Sequence, residues 1–244
     1  DFFKYIFNSP EYRKDANYFK ILSFTANIED NAISFWTNKA RKALFGGLEY
    51  IYEGESIYAK TPLLESAKDS QGKKSNMEII PKGTAGRVKK ILRSRQLEIY
   101  FDFLHEGKGA IELLDIEFEY TDLLTGEEHT KEISIPSEEG ANDLKELHSL
   151  LKRFSKMKKN QNEPTGKLWR KWSNLKKEFI EYEYDYCVSV HTSQGRSFFF
   201  SMIDIDDIKR ALTTNRNALL FKQLGYVALT RCIIGNFIVF SDNK

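Results

Sequence analysis

The spacing of apolar residues changes three times along the chain, and this constrains the fold more than any other feature. Phe19-Lys20-Ile21-Leu22-Ser23-Phe24 reads as a short buried strand, preceded by a helical pattern over 1–19. Residues 28–44 then read as a helix stopped by Gly46-Gly47. From Glu49 to Pro136 the runs become short and alternating, at 50–52, 56–59, 86–91, 97–103, 111–120 and 131–135. Turns such as Pro81-Lys82-Gly83 separate them, and the spacing predicts a small antiparallel barrel or sheet. The stretch 66–76 reads as a polar loop. After Pro136 the period is helical, with Leu144, Leu147, Leu150, Leu151 and Phe154 on one stripe. A second helix carries Leu168, Trp169, Trp172, Leu175 and Phe179, a spacing that favours core packing for both tryptophans over stacking on bases. The remainder returns to an α/β rhythm: strands at 184–190 and 198–205, helices at 206–212 and 219–230, and a strand at 236–240. Insertion explains this order best. The expected divisions are one α/β domain made of 1–48 and 181–244, an inserted β segment at 49–136 and a helical arm at 137–180.

Charge is segregated in the same way. The net +2 comes from 37 Lys+Arg against 35 Asp+Glu, but it averages opposing blocks. Residues 82–95 hold six bases and no acid, 98–139 hold thirteen acids and two bases, and 140–180 hold eleven bases and four acids. A near-neutral average therefore does not exclude a polyanionic partner. The acidic block is expected as a solvent face or as a partner of the basic helices that follow it. Two cysteines, Cys187 and Cys232, make neither a disulfide framework nor a metal set, which fits a reducing cytoplasm. No apolar run reaches the ~18 residues of a membrane span. The chain starts without Met or signal-peptide layout, so a piece of a longer protein is expected.

Two stretches carry chemistry. In Ser189-Val190-His191-Thr192-Ser193-Gln194-Gly195 an apolar strand runs into a polar turn ending in Gly. Hydroxyls, an imidazole and free N–H groups are thereby collected at a strand's C-terminal edge, where ligands bind in open α/β sheets. Such donors suit phosphate oxygens; a plain polar turn is the other reading. Tyr226-Val227-Ala228-Leu229-Thr230-Arg231 is an amphipathic helix that delivers an arginine at its end. That arginine either offsets the helix dipole or serves as an arginine finger on a γ-phosphoryl group.

In this order and spacing the two stretches resemble motifs V and VI of superfamily 1 helicases, most of all the RecD-like and phage Dda-type branch. The family forms are roughly Thr-(Val/Ile)-His-Lys-Ser-Gln-Gly and Tyr-Val-Ala-(Leu/Val)-Thr-Arg. Ile21-Leu22-Ser23-Phe24-Thr25 then resembles motif IV. The resemblance implies an α/β, RecA-like second domain interrupted by a small SH3-like β-barrel and a helical arm. It further implies ATP binding between two RecA-like domains and 5′ to 3′ translocation on single-stranded DNA, by a monomer. Arg231 would act as the catalytic finger, with Gln194 and Gly195 beside the nucleotide. Thr25, His191, Thr192 and Ser193 would hold strand phosphates. The basic stretch on the barrel, through Lys89, Lys90 and Arg93, is expected to add a salt-dependent grip.

The chain departs from the pattern at Thr192, where Lys is usual, at Ala26, where Asn is common, and at Arg196-Ser197, near a frequent acid. Arg41 is the nearest equivalent of an arginine on the helix after motif IV, about one turn late. There is no G-x-x-x-x-G-K-S/T; Gly72-Lys73-Lys74-Ser75 lacks the first glycine. The phosphate loop and the Mg²⁺ ligands are therefore expected on an upstream RecA-like domain, and this chain alone should not hydrolyse ATP. Two alternatives stay open: a stand-alone nucleic-acid-binding or regulatory module with degenerate motifs, and a subunit of an exonuclease complex. Asp204-Asp206-Asp207 is the one acidic cluster relevant to a nuclease, and a helix cap explains it better.

Overall fold

The computed structural model describes residues 2–7, 9–15, 18–24, 32–68, 74–104, 107–122, 125–215 and 217–240. Along the chain run α1 (Phe2–Phe7), α2 (Pro10–Lys14), β1 (Phe19–Ser23), α3 (Ala32–Phe45), β2 (Ser56–Ala59) and β3 (Leu63–Lys68). There follow β4 (Lys74–Ile80), β5 (Ala85–Tyr100), β6 (Lys108–Thr121), β7 (Glu128–Pro136), α4 (Glu138–Asn160) and α5 (Gly166–Leu175). The chain ends with β8 (Tyr182–Tyr184), β9 (Cys187–Ser189), β10 (Phe198–Asp204), α6 (Ile205–Asn215), α7 (Ala218–Thr230) and β11 (Cys232–Val239). Two compact units result, Asp1–Leu48 with Tyr184–Lys244, and Glu49–Glu183. Among the described residues no helix is long and apolar enough to cross a membrane.

The first unit is mixed α/β, built on a parallel sheet in the order β11-β10-β1-β9. Parallel strands are covered on both faces, and all five residues of β1, the polar Lys20 and Ser23 included, are buried. Phe19 and Ile21 pack with Phe3, Phe7, Trp36 and Tyr186, whereas Leu22 packs with Val188, Phe198, Ile208 and Leu224. The helix expected over 1–19 is two helices. Pro10 cannot continue a helix but can start one, and Ser9 caps the second by accepting from the Tyr12 N–H at 3.1 Å. The strand expected at 184–190 also divides, because β8 joins one sheet and β9 the other.

The second unit holds a five-stranded sheet, β7-β6-β5-β2-β8, and a separate β3-β4 hairpin. The hairpin occupies most of the stretch read as a polar loop, with 69–73 outside the described residues. Residues 50–52 lie outside any strand. The strands expected at 86–91 and 97–103 form one 16-residue strand, β5, with register shifts at Val88/Lys90 and Ile91/Arg93. Bulges let so long a strand bend without breaking its ladder. β5 also corrects the charge reading. The acidic block faces the basic strand before it, with Arg87 opposite Glu119, Lys90 opposite Glu117 and Arg93 opposite Asp115.

α4 and α5 bury Leu144, Leu147, Leu151, Leu168 and Trp172 against Ile99, Phe101, Ile111 and Leu113. Ser137 starts α4 by accepting from the Gly140 N–H at 3.0 Å. A Cβ on Gly140 would lie 2.1 Å from the Glu112 carbonyl oxygen, so only glycine lets helix and strand approach this closely. Gly140→Ala is expected to cost about 2 kcal/mol through forced backbone shifts. A urea denaturation midpoint equal to the wild type's would contradict that contact.

Candidate functional site

The C-terminal ends of β1 and β9 lie side by side. Ser23 is the register partner of Ser189, and the Val190 N–H donates to the Ser23 carbonyl at 2.8 Å. The turn that follows is held by its own hydroxyls. Ser189 Oγ accepts from the Thr192 N–H at 3.0 Å and lies 2.8 Å from Thr192 Oγ1. Ser193 Oγ donates to the Val190 carbonyl at 2.7 Å. Ser and Thr close such turns because their short side chains reach backbone two or three residues away. Gly195 leaves the turn at φ +81°, where a Cβ would be strained.

Exposure sorts the site residues. His191, Thr192, Gln194 and Gly195 face solvent, whereas Ser193 is fully buried with its hydroxyl turned inward. Ser193 therefore shapes the turn, and its hydroxyl is not presented to a phosphate. Thr25 and Ala26 lie outside the described residues.

The β1 end is tied to α6. Asp207 accepts from Ser23 Oγ and from the Phe24 N–H, both at 2.6 Å. Asp204 accepts from the Asp207 N–H at 3.0 Å and from Trp36 Nε1 at 2.8 Å. Asp206 pairs with Lys209 at 2.9 Å. Each carboxylate of the acidic cluster thus has a local partner, as helix-capping residues do. Among the described residues no group of three or more His, Cys, Asp or Glu is placed to hold a metal.

Sequence reasoning missed a buried ion cluster beneath the turn. Asp185 and Lys20 are both 0% exposed. Lys20 Nζ donates to Asp185 Oδ2 at 2.6 Å and also to the Asp185 carbonyl. Arg196 holds the same carboxylate with two bonds, of 3.1 and 3.0 Å. Burial pushes the Asp185 carboxyl up, but Lys20 and Arg196 outweigh it and hold the group below the usual carboxylate range. Arg196 is thus the anchor of the turn's exit. The signal available in the sequence was Lys20, a cation inside an otherwise apolar strand.

Arg231 follows α7 directly as its C-cap residue. Its carbonyl accepts from the Phe198 N–H at 2.8 Å, and Cys232 pairs with Phe198 in the sheet. The end of the 226–231 segment therefore sits beside the exit of the 189–195 turn. Arg231 Nε is buried and has no hydrogen-bond partner among the described residues. A buried guanidinium donor left unpaired is costly, and an anionic oxygen would relieve it. Arg41 is 2% exposed, with its guanidinium 3.9 Å from the centre of the Tyr184 ring, which is a packing role.

Lys89, Lys90 and Arg93 lie on β5 in the other unit. Lys89 pairs with Glu119 at 3.2 Å and Arg93 with Asp115 at 2.6 Å. Arg95 reaches the same Asp115 at 3.2 Å. The hydrogen bond from Arg93 to Asp115 raises the guanidinium's pKa. Lys89 and Arg93 are thus each paired with an acid of β6, while the Arg93 side chain stays 71% exposed.

No protein-family model matches the chain, and no curated protein matches it. Among solved structures it is similar to a crystal structure of a Pif1 helicase double mutant from Bacteroides, at 14% identity and a TM-score of 0.24. That similarity covers 80% of this chain and 30% of the helicase chain, so this chain spans under a third of its length. A likeness of that degree carries no argument about activity.

Proposed function

We propose that the chain is the second RecA-like domain of a superfamily 1 DNA helicase of the RecD-like and Dda-type branch, interrupted by an SH3-like barrel and a helical arm. The observation that carries this reading is the 2.8 Å bond from the Phe198 N–H to the Arg231 carbonyl. It joins Arg231, the last residue of the stretch that resembles motif VI, to the start of β10, three residues after the stretch that resembles motif V. Arg231 is the finger, delivered as the residue that caps the end of α7. Gln194 and Gly195 lie near the nucleotide. His191, Thr192 and Thr25 hold strand phosphates, a task that needs donors but no base readout. Ser193 keeps that surface in shape. The resemblance puts Mg²⁺ and the phosphate cradle on an upstream RecA-like domain. Closing and opening of the cleft with nucleotide state would step the protein 5′ to 3′.

The test is ATP turnover by the full-length protein with and without a single-stranded oligonucleotide. At least a tenfold stimulation by the strand is expected, with no turnover from the 244-residue chain alone. A full-length protein without strand-stimulated turnover would overturn the proposal.

A further inference from the structure

Between Lys152 and Lys177 the sequence holds ten bases and a single acid, Glu163. This is the other basic block, and the structure treats it differently from β5. Lys145, Lys152, Lys156 and Lys159 are exposed and fall at i, i+7, i+11 and i+14 of α4. Those intervals put all four on one stripe about 21 Å long. On α5, Lys167, Arg170 and Lys171 are exposed, with the Lys171 ammonium 5.7 Å from the centre of the Phe101 ring. None of these seven makes an ion pair among the described residues; in the block only Lys158 and Lys176 do, with Glu163 and Glu181.

The two stripes border one another. Trp169 Nε1 donates to Ser155 Oγ at 3.1 Å, and the Trp172 ring stacks on His148 at 5.1 Å. Ser155 and His148 flank the lysine stripe on the α4 surface. Burial first, then Lys152 from α4 and Lys176 from beyond α5, hold the His148 pKa below its ordinary value. Cations from both helices thus converge on one ring.

We infer that the α4–α5 hairpin grips the phosphodiester backbone of a nucleic-acid duplex. Lysines on a rigid helix act as point charges on phosphates and read no sequence. A single strand is the poorer fit, because single-strand binders stack bases on aromatic side chains. Here Trp172 is 7% exposed and Trp169 is partly buried against the core, leaving cations without a stacking platform. This inference is independent of the motor reading, since backbone binding needs no ATP.

The test is fluorescence anisotropy of the 244-residue chain with a 20-base-pair DNA duplex, the matching RNA duplex and a 20-nucleotide oligo-dT, across a salt series. Lys152, Lys156, Lys159 and Lys167 are replaced together by Gln, with circular dichroism checking the fold. Each lost contact lowers the salt slope by about 0.9, so a drop of about 3–4 and a loss of about a hundredfold in duplex affinity at 0.1 M salt are expected. The two duplexes separate B-form from A-form backbone, and arm-dependent binding of either supports the inference. Replacing Lys89, Lys90 and Arg93 instead should change the slope by less than about one, because Lys89 and Arg93 are paired within their sheet. No duplex binding, an unchanged slope in the arm variant, or an arm effect confined to oligo-dT would overturn it.

Discussion

Replacing Asp185 by alanine is expected to destabilise the chain by about 3–5 kcal/mol, the usual consequence of removing one partner from a buried ion pair. The change leaves the Lys20 ammonium at a position with 0% exposure, facing Arg196 without the carboxylate that separates their charges. Lys20 would then have to lose its proton or draw water into the sheet. The intact cluster is not itself a large source of stability, because desolvation offsets much of the attraction. The double variant Lys20→Met, Asp185→Leu is therefore expected to regain most of the loss, with Arg196 turning to solvent. The pH dependence has a definite sign. Asp185 is depressed in the folded state, so its contribution is fully present above the unfolded carboxyl's pKa of about 4 and is lost as pH falls through the lower folded value. Acid unfolding of the wild type should carry this proton uptake, and the double variant should not. Urea midpoints that agree within 1 kcal/mol between wild type and Asp185→Ala would show that the cluster does not hold the turn.

That cluster marks the boundary of what the sequence made legible. Local periodicity located β1 and α7 to within a residue or two, because a buried parallel strand and an amphipathic helix each leave a continuous signature. The mixed α/β character followed from strands alternating with helices at both ends of the chain. Pairing at long range left no such mark. Lys20 and Asp185 are 165 residues apart, and nothing between them signals that they meet. The same holds for the acidic block, whose partner proved to be β5 rather than the later helices. The two basic runs look alike in composition, yet in one Lys89 and Arg93 are paired across a ladder and the other is exposed on a helical hairpin. At the turn, residue types were legible and orientations were not. Ser193 and Thr192 are equivalent as hydroxyls in a string of letters, but backbone geometry turns one inward and leaves the other exposed.

Arg231→Ala in the full-length protein should lower strand-stimulated ATP turnover by about a thousandfold or more, with ATP affinity changed only severalfold. An arginine finger meets charge that develops on the transferring phosphoryl group, so its removal acts on turnover far more than on ground-state binding. The fold should tolerate the change. Arg231 is held to the sheet by its backbone carbonyl, which alanine retains, and its Nε has no partner to lose among the described residues. Arg231→Lys should restore little, because an ammonium keeps the charge but not the planar fork that spans two phosphate oxygens. The competing role, a cation offsetting the dipole at the end of α7, predicts the opposite pattern. A cap of that kind contributes about 0.3–1 kcal/mol to stability, is replaced well by lysine and leaves turnover alone. The comparison of alanine and lysine variants therefore separates the two roles by a kinetic readout and a stability readout that move in different directions. Turnover unchanged in Arg231→Ala would leave the arginine as a helix cap and remove the strongest chemical support for a motor.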